Sequence, residues 1–144
     1  MLRDPISVIP SGLSLVTGVL DKKFNFWSLE DEIKNRFIER LYSALIELLN
    51  RFHDDWVHNK INKEKVFIVR FDNMMNNFEE LMNDLSVFVE FERDNDLIQE
   101  IEKTGISQRI YKSEHSYDLS RFGLTESQIK KDCKKIYETF LREK

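Results

Sequence analysis

The sequence predicts an α/β fold that is mostly helical, with one or two short strands. Its 144 residues include only 4 Gly and 2 Pro, so turns are few and the elements between them are long. The run VFIVRF, which starts at Val66, is continuously β-branched or aromatic, as in a strand buried on both faces of a parallel sheet. Elsewhere, apolar residues recur at spacings of three and four, which is typical of amphipathic helices.

The composition limits the class of protein. Hydrophobic residues make up 41% of the chain and aromatic residues 12%, which favours a packed core over disorder. The net charge of −4 argues against a nucleic-acid-binding domain, where a basic face is expected. No apolar run approaches the roughly 20 residues of a membrane span, and no signal-peptide pattern opens the chain. Cys133 is the single cysteine, so no internal disulfide forms and a reducing, cytoplasmic location is expected.

The first eleven residues predict a strand end followed by a helix start. Leu2 is interpreted as the last apolar residue of a strand, and Ser11, eight residues after Arg3, is expected on or near a helix N-terminus. An arginine offers a planar fork of donors, and a helix start offers free N–H groups and a positive dipole end. Arg3 and Ser11 therefore predict a phosphate site, with Asp4 accepting N–H bonds at the turn. The alternative is that Arg3 is merely terminal and Ser11 only caps the helix.

A long helix is predicted next, with Ser28 as its cap. Its apolar residues form a stripe that is expected to face the core: Ile33, Phe37, Leu41, Ala44, Leu45, Leu48, Phe52 and Trp56. His53 and His58 stand near its end, five residues apart. That spacing does not place them on one helix face, so they are interpreted as cations near a helix C-terminus rather than as a metal pair.

The strand at Val66 needs neighbours that the rest of the chain hardly offers. A strand cannot satisfy its own N–H and C=O groups. The chain is therefore expected to be truncated at its N-terminus or to receive a sheet from a partner. An exposed edge beside residues 66–71 also predicts self-association.

Three further helices are predicted after the strand. Their start and stop signals are an Asn76–Glu79 capping box, Gly105 as a helix end, and a Thr125–Gln128 capping box. Residues 106–120 have no clear period and are interpreted as an ordered functional loop or lid. No repeat or linker interrupts the chain, so a single unit spanning residues 1–144 is predicted.

Four stretches in a fixed order resemble the C-terminal half of sulfotransferases that use 3′-phosphoadenosine 5′-phosphosulfate (PAPS). They are LRDPISVIPS, the long helix, KVFIVRFDNMMNNFEELMNDLSVFVEF and QRIYKSEHSYDLSRFGLTESQI, and they cover nearly the whole chain. Arg3 and Ser11 match the family's 3′-phosphate motif. The RFDN run from Arg70 stands where the family usually has Arg-Tyr-Glu-Asp-Leu. Lys112 and Ser113 lie in a segment that resembles the loop closing over the nucleotide, and they are the best candidates there for contact with the 3′-phosphate.

The resemblance implies a P-loop-kinase-like α/β domain with a parallel sheet, of which this chain is the C-terminal portion. It implies an enzyme that transfers a sulfonate group from PAPS, without a metal, to a hydroxyl or amine of a carbohydrate, lipid or small molecule. This chain would supply the 3′-phosphate half of the cofactor site. The glycine- and serine-rich loop that cradles the phosphosulfate belongs to the family's N-terminal half and has no counterpart in this sequence.

No catalytic residue can be carried over from the family. Its general base, a His or Glu, and its loop Lys also come from the N-terminal half. His115 is either a local base or a polar loop residue. The alternative to an enzyme fragment is a non-enzymatic helical interaction module that keeps the scaffold without the chemistry. The sequence does not identify the acceptor or the oligomeric state.

Overall fold

The structure is a computed structural model that describes residues 1–111 and 118–141. Its α-helices are α1 (Pro5–Phe24), α2 (Asp31–Val57), α3 (Phe71–Asn76), α4 (Phe78–Phe88), α5 (Asn95–Ile110), α6 (Glu126–Asp132) and α7 (Lys134–Phe140). Single turns of 3₁₀-helix lie at Phe26–Ser28, Lys63–Lys65 and Leu119–Phe122.

The described residues cluster into two compact units. The first unit contains Met1–Arg3 and residues 61–111, and the second contains Asp4–Lys60 and residues 118–141. The prediction of one domain over residues 1–144 stays a prediction.

The second unit is built around α1, which begins earlier than the sequence predicts. Asp4 caps the helix because its Oδ1 accepts the Ile6 N–H at 2.9 Å, and Pro5 occupies the first helical position, where no N–H is needed. The predicted role of Asp4 at this turn is confirmed. Helix α1 packs against α2 and α6, and α2 packs against α7. The buried core consists of Ile9, Leu13, Phe26, Ile38, Tyr42, Phe122, Leu124, Ile129, Cys133 and Ile136.

The end of the chain follows its predicted pattern. Thr125 Oγ1 accepts the Gln128 N–H at 3.2 Å, which confirms the predicted helix start. The sequence predicts that an apolar stripe runs down this last helix, made of Leu124, Ile129, Cys133, Ile136, Tyr137 and Phe140. Ile129, Cys133 and Ile136 are fully buried, Leu124 is buried, and Tyr137 and Phe140 are half-buried. The helix is interrupted at Cys133, however, so α6 and α7 replace the single helix that the sequence predicts.

Helix α2 confirms the predicted long helix, but its buried face matches the predicted stripe only in part. Its N-cap is Glu30, whereas Ser28 lies in the preceding 3₁₀ turn. Three members of the predicted stripe are exposed, namely Ile33, Ala44 and Leu48. Phe37, Leu41 and Leu45 are partly buried against the core, and the buried residues are Ile38 and Tyr42, which lie outside the predicted stripe. Apolar residues surround much of this helix, so their period alone did not decide which face packs.

The first unit holds three helices, with α4 and α5 in contact with each other and α3 in contact with both. Leu81 of α4 and Ile101 of α5 are its buried apolar residues. The predicted Asn76 cap is wrong, because Asn76 is the last residue of α3 and α4 starts after Asn77. Helix α5 also runs through Gly105, the predicted stop, and ends at Ile110.

The prediction of a P-loop-kinase-like α/β fold is wrong for this chain. Residues 1–111 and 118–141 form an all-helical fold with no strand or sheet. The run from Val66 is extended, but its pairing is limited to one isolated parallel bridge between Leu2 and Arg70. A sheet ladder needs several paired residues on each strand, and the chain folds its other apolar residues into helices.

Candidate functional site

The Leu2–Arg70 bridge joins two of the four stretches that carry the family resemblance. The Leu2 N–H donates to Val69 C=O at 2.7 Å, and the Phe71 N–H donates to Leu2 C=O at 2.8 Å. These two bonds are the repeat of a parallel ladder, in which one residue bonds the neighbours of the residue opposite. The start of the chain is thereby fixed beside the end of the extended run.

Arg70, which takes part in the bridge, forms an ion pair with Asp72. Its Nε donates to Asp72 Oδ1 at 3.0 Å, and a second guanidinium nitrogen donates to Oδ2. The two parallel bonds form a forked pair, which holds the pKa of the Asp72 carboxyl below its usual value, chiefly through hydrogen bonding to Arg70. Asp72 therefore stays ionised at neutral pH and offsets the charge of Arg70.

Arg3 is held differently. Its guanidinium carbon lies 4.3 Å from the centre of the Phe71 ring, in a cation–π contact. No carboxylate among residues 1–111 and 118–141 forms an ion pair with it. Stacking uses the face of the guanidinium and leaves its N–H donors in the plane of the group, where an oxyanion accepts two of them. Arg3 is thus a half-buried, oriented cation that retains the capacity for an anionic ligand.

Ser11 does not occupy the predicted position at a helix start. It is the seventh residue of α1, whose N-terminus is capped by Asp4. Inside a helix the backbone N–H is taken by the carbonyl four residues earlier, so the free donors expected at Ser11 are lost. Ser11 also belongs to the second unit and Arg3 to the first. Their joint contact with a phosphate stays a prediction.

The remaining predicted site residues, Lys112 and Ser113, lie outside the described residues, as does His115. Sequence reasoning also missed one participant, Phe71, which holds Arg3. The sequence feature that could have identified Phe71 is its position, directly after the apolar run 66–69 and Arg70. Pairing of Leu2 with Arg70 would have placed Phe71 next to Arg3.

Comparisons with known proteins add no family assignment. No family model matches this sequence, and comparisons with curated proteins and with solved structures return no significant match. None of the described helices combines the length and hydropathy that a membrane crossing requires. Among the described residues, no group of three or more His, Cys, Asp or Glu side chains is arranged to hold a metal ion.

Proposed function

We propose that this chain supplies a 3′-phosphate contact in a PAPS-dependent sulfotransferase, with Arg3 as the phosphate ligand. The observation that carries the proposal is the Leu2–Arg70 bridge, which brings the LRDP stretch and the VFIVRFDN stretch side by side. The bridged residues Leu2 and Arg70 are 68 positions apart in the chain, and both stretches belong to the four that resemble the family.

The chemistry at Arg3 supports this role. A 3′-phosphate distinguishes PAPS from other adenine nucleotides, so a specific contact with that phosphate is needed. Arg3 is oriented by Phe71 and has no acidic partner among the described residues, in contrast to Arg70, which is paired with Asp72. A charge-assisted arginine–phosphate bond contributes about 1.5–3 kcal/mol, which is roughly a 10- to 150-fold change in affinity.

The proposed role is limited to binding. Sulfonate transfer also needs a general base on the acceptor and a cation at the leaving phosphate oxygen, and this sequence offers no position for either by resemblance. We therefore expect weak nucleotide binding by the chain on its own. The acceptor, a hydroxyl or amine of a carbohydrate, lipid or small molecule, would be bound elsewhere in the complete enzyme.

The test follows the Arg3 side chain directly. The full 144-residue chain is labelled with ¹⁵N, and its arginine Nε–Hε resonances are recorded with increasing adenosine 3′,5′-bisphosphate. Adenosine 5′-monophosphate, which lacks the 3′-phosphate, is the matched ligand. The Arg3 resonance should shift with the bisphosphate and much less with the monophosphate.

Variants separate the site from general charge effects. Arg3→Ala should weaken bisphosphate binding at least about tenfold, and Arg3→Lys should restore it only in part, because an ammonium lacks the planar fork. Arg40→Ala removes an exposed arginine from α2 and should bind as the original chain does. Equal shifts with both nucleotides, or unchanged binding by Arg3→Ala, would contradict the proposal and favour a helical interaction module without this chemistry.

A further inference from the structure

A second cluster of reactive side chains lies where α2 meets α7, within the second unit. His53 of α2 is hydrogen-bonded through Nδ1 to Asp54 Oδ1 at 2.9 Å and through Nε2 to Thr139 Oγ1 at 3.0 Å. Thr139 lies on α7 and is exposed, whereas the His53 side chain is only 12% exposed. The hydrogen bonds therefore link a hydroxyl, an imidazole and a carboxylate in that order.

The hydrogen bonds fix which nitrogen of His53 carries the proton. Hydrogen bonding to His53 and to Lys135 holds the pKa of the Asp54 carboxyl below its usual value, so this group is ionised at neutral pH and only accepts hydrogen bonds. Nδ1 must therefore be the protonated nitrogen in the neutral ring. Nε2 then carries the lone pair and accepts the hydroxyl proton of Thr139.

General-base catalysis needs these hydrogen-bond directions, with Nε2 of His53 free of a proton and facing the hydroxyl of Thr139. A hydroxyl becomes a nucleophile when an adjacent base can take its proton and a third group orients that base. We propose that Thr139, His53 and Asp54 form an acyl-transfer site, with Thr139 as nucleophile, His53 as general base and Asp54 as a positioning residue.

The surroundings indicate the class of substrate. Phe140 follows Thr139 and meets the His53 ring edge-on, with ring centres 6.2 Å apart. Phe52 and Trp56 lie 5.3 and 5.8 Å from Phe140, so half-buried aromatic rings line one side of the cluster. These rings meet at tilted and edge-to-face angles, and an aryl group of a substrate can add to such a cluster in the same way. The substrate class is therefore an aryl ester.

Charge at the cluster favours the same reaction. Lys135 stands one helical turn before Thr139 on α7, and its Nζ lies 3.1 Å from Asp54 Oδ1. This ion pair helps to keep Asp54 ionised, so the carboxylate continues to accept the hydrogen bond that orients His53.

The reaction has two steps. In the first, Thr139 Oγ1 bonds to the ester carbonyl carbon and its proton moves to His53 Nε2. The bond between the acyl carbon and the aryloxy oxygen then breaks, and this oxygen keeps the electron pair, takes the proton from Nε2 and leaves as a phenol. In the second, water attacks the acyl carbon, its proton passes to Nε2 and then to Thr139 Oγ1, and the acid is released.

The test uses 4-nitrophenyl acetate and the full chain. Thr139→Val keeps the shape of the side chain but removes the hydroxyl, and it should lower the hydrolysis rate at least about tenfold, as should His53→Ala. His58→Ala is the matched control. His58 directly follows the last residue of α2 and, among the described residues, its side chain bonds only the Asp54 backbone carbonyl, so the rate of this variant should be unchanged. Mass spectrometry of the quenched reaction should find one acetyl group on the peptide that contains Thr139.

Asp54 is tested as a positioning residue. Asp54→Asn should lower kcat with little change in KM, and Asp54→Glu should recover part of kcat. A merely structural role would show instead as loss of helix content, which circular dichroism monitors in every variant. If Thr139→Val hydrolyses the ester at the original rate, or if the acetyl group is found on His53 and not on Thr139, the proposal is overturned.

Discussion

Alkaline pH should destabilise the second unit through Tyr42. The ring of Tyr42 is buried in the core, and its hydroxyl donates to Asp132 Oδ2 at 2.7 Å. Burial raises the pKa of this phenol well above its usual value, and hydrogen bonding to the Asp132 carboxylate raises it further. In the folded protein a tyrosinate here would lose its hydration and face a negative charge.

The size of the effect follows from linkage. The folded state holds the phenolic proton more tightly than the unfolded state, whose pKa is about 10. The stabilising contribution is therefore complete below that pH and is lost as the pH rises above it. Each such group removes about 1.4 kcal/mol from the free energy of unfolding per pH unit in that window. Tyr42→Phe keeps the ring but removes the proton, so its stability should fall less steeply with pH by about that amount.

Urea unfolding followed by tryptophan fluorescence measures this difference. Both tryptophans, Trp27 and Trp56, lie in the second unit, so the signal reports on the unit that contains Tyr42. The Tyr137 hydroxyl donates to Asp4, and burial likewise raises its pKa, so some pH dependence should remain in the variant.

The matched control is Tyr111→Phe. Tyr111 is 61% exposed, and its hydroxyl makes no hydrogen bond within the described residues. This variant should follow the original chain at every pH. Identical slopes above pH 10 for the original chain and for Tyr42→Phe would refute the reasoning.

Three further outcomes are expected. Ile136→Ala should lower the free energy of unfolding by about 2–5 kcal/mol in urea titrations, because Ile136 is fully buried, whereas Ile136→Val should cost about 0.5–1.5 kcal/mol. Gly105→Ala should stabilise α5 by about 1 kcal/mol in a Glu79→Ala background, because alanine favours a helix over glycine. In the original chain the gain should be smaller, because the added Cβ displaces the Glu79 carboxylate from Arg109. Circular dichroism during denaturation compares the two backgrounds. Burial raises the pKa of the Cys133 thiol to about 11, so a disulfide reagent should modify it only as fast as the protein unfolds.

The helical parts of this chain could be predicted where sequence and packing agree. Thr125 is a strong helix cap, and Ile129, Cys133 and Ile136 repeat at the spacing of one helix face. Helix α2 shows the limit of that reasoning. Its apolar residues are too numerous to define a single stripe, so the buried face at Ile38 and Tyr42 depends on contacts with α1 and α7 that the local sequence does not encode.

The candidate site was only partly predictable for a related reason. Arg3 was identified, but Ser11, eight residues later, was assigned to the start of the helix that follows. Pro5 in fact begins the helix, with Asp4 as its cap. The Thr139–His53 contact joins residues 86 positions apart, and no local pattern predicts such a pair.

The extended run after Lys65 should show uneven rates of amide hydrogen exchange. The N–H groups of Leu2 and Phe71 are bonded in the bridge, whereas those of Phe67 and Ile68 have no backbone acceptor within the described residues. In the chain alone, Phe67 and Ile68 should exchange with solvent deuterium far faster than Leu2 and Phe71. Slow exchange at Phe67 and Ile68 would then be a signature of a strand added from another molecule. The same short segment can therefore report, residue by residue, when a partner binds.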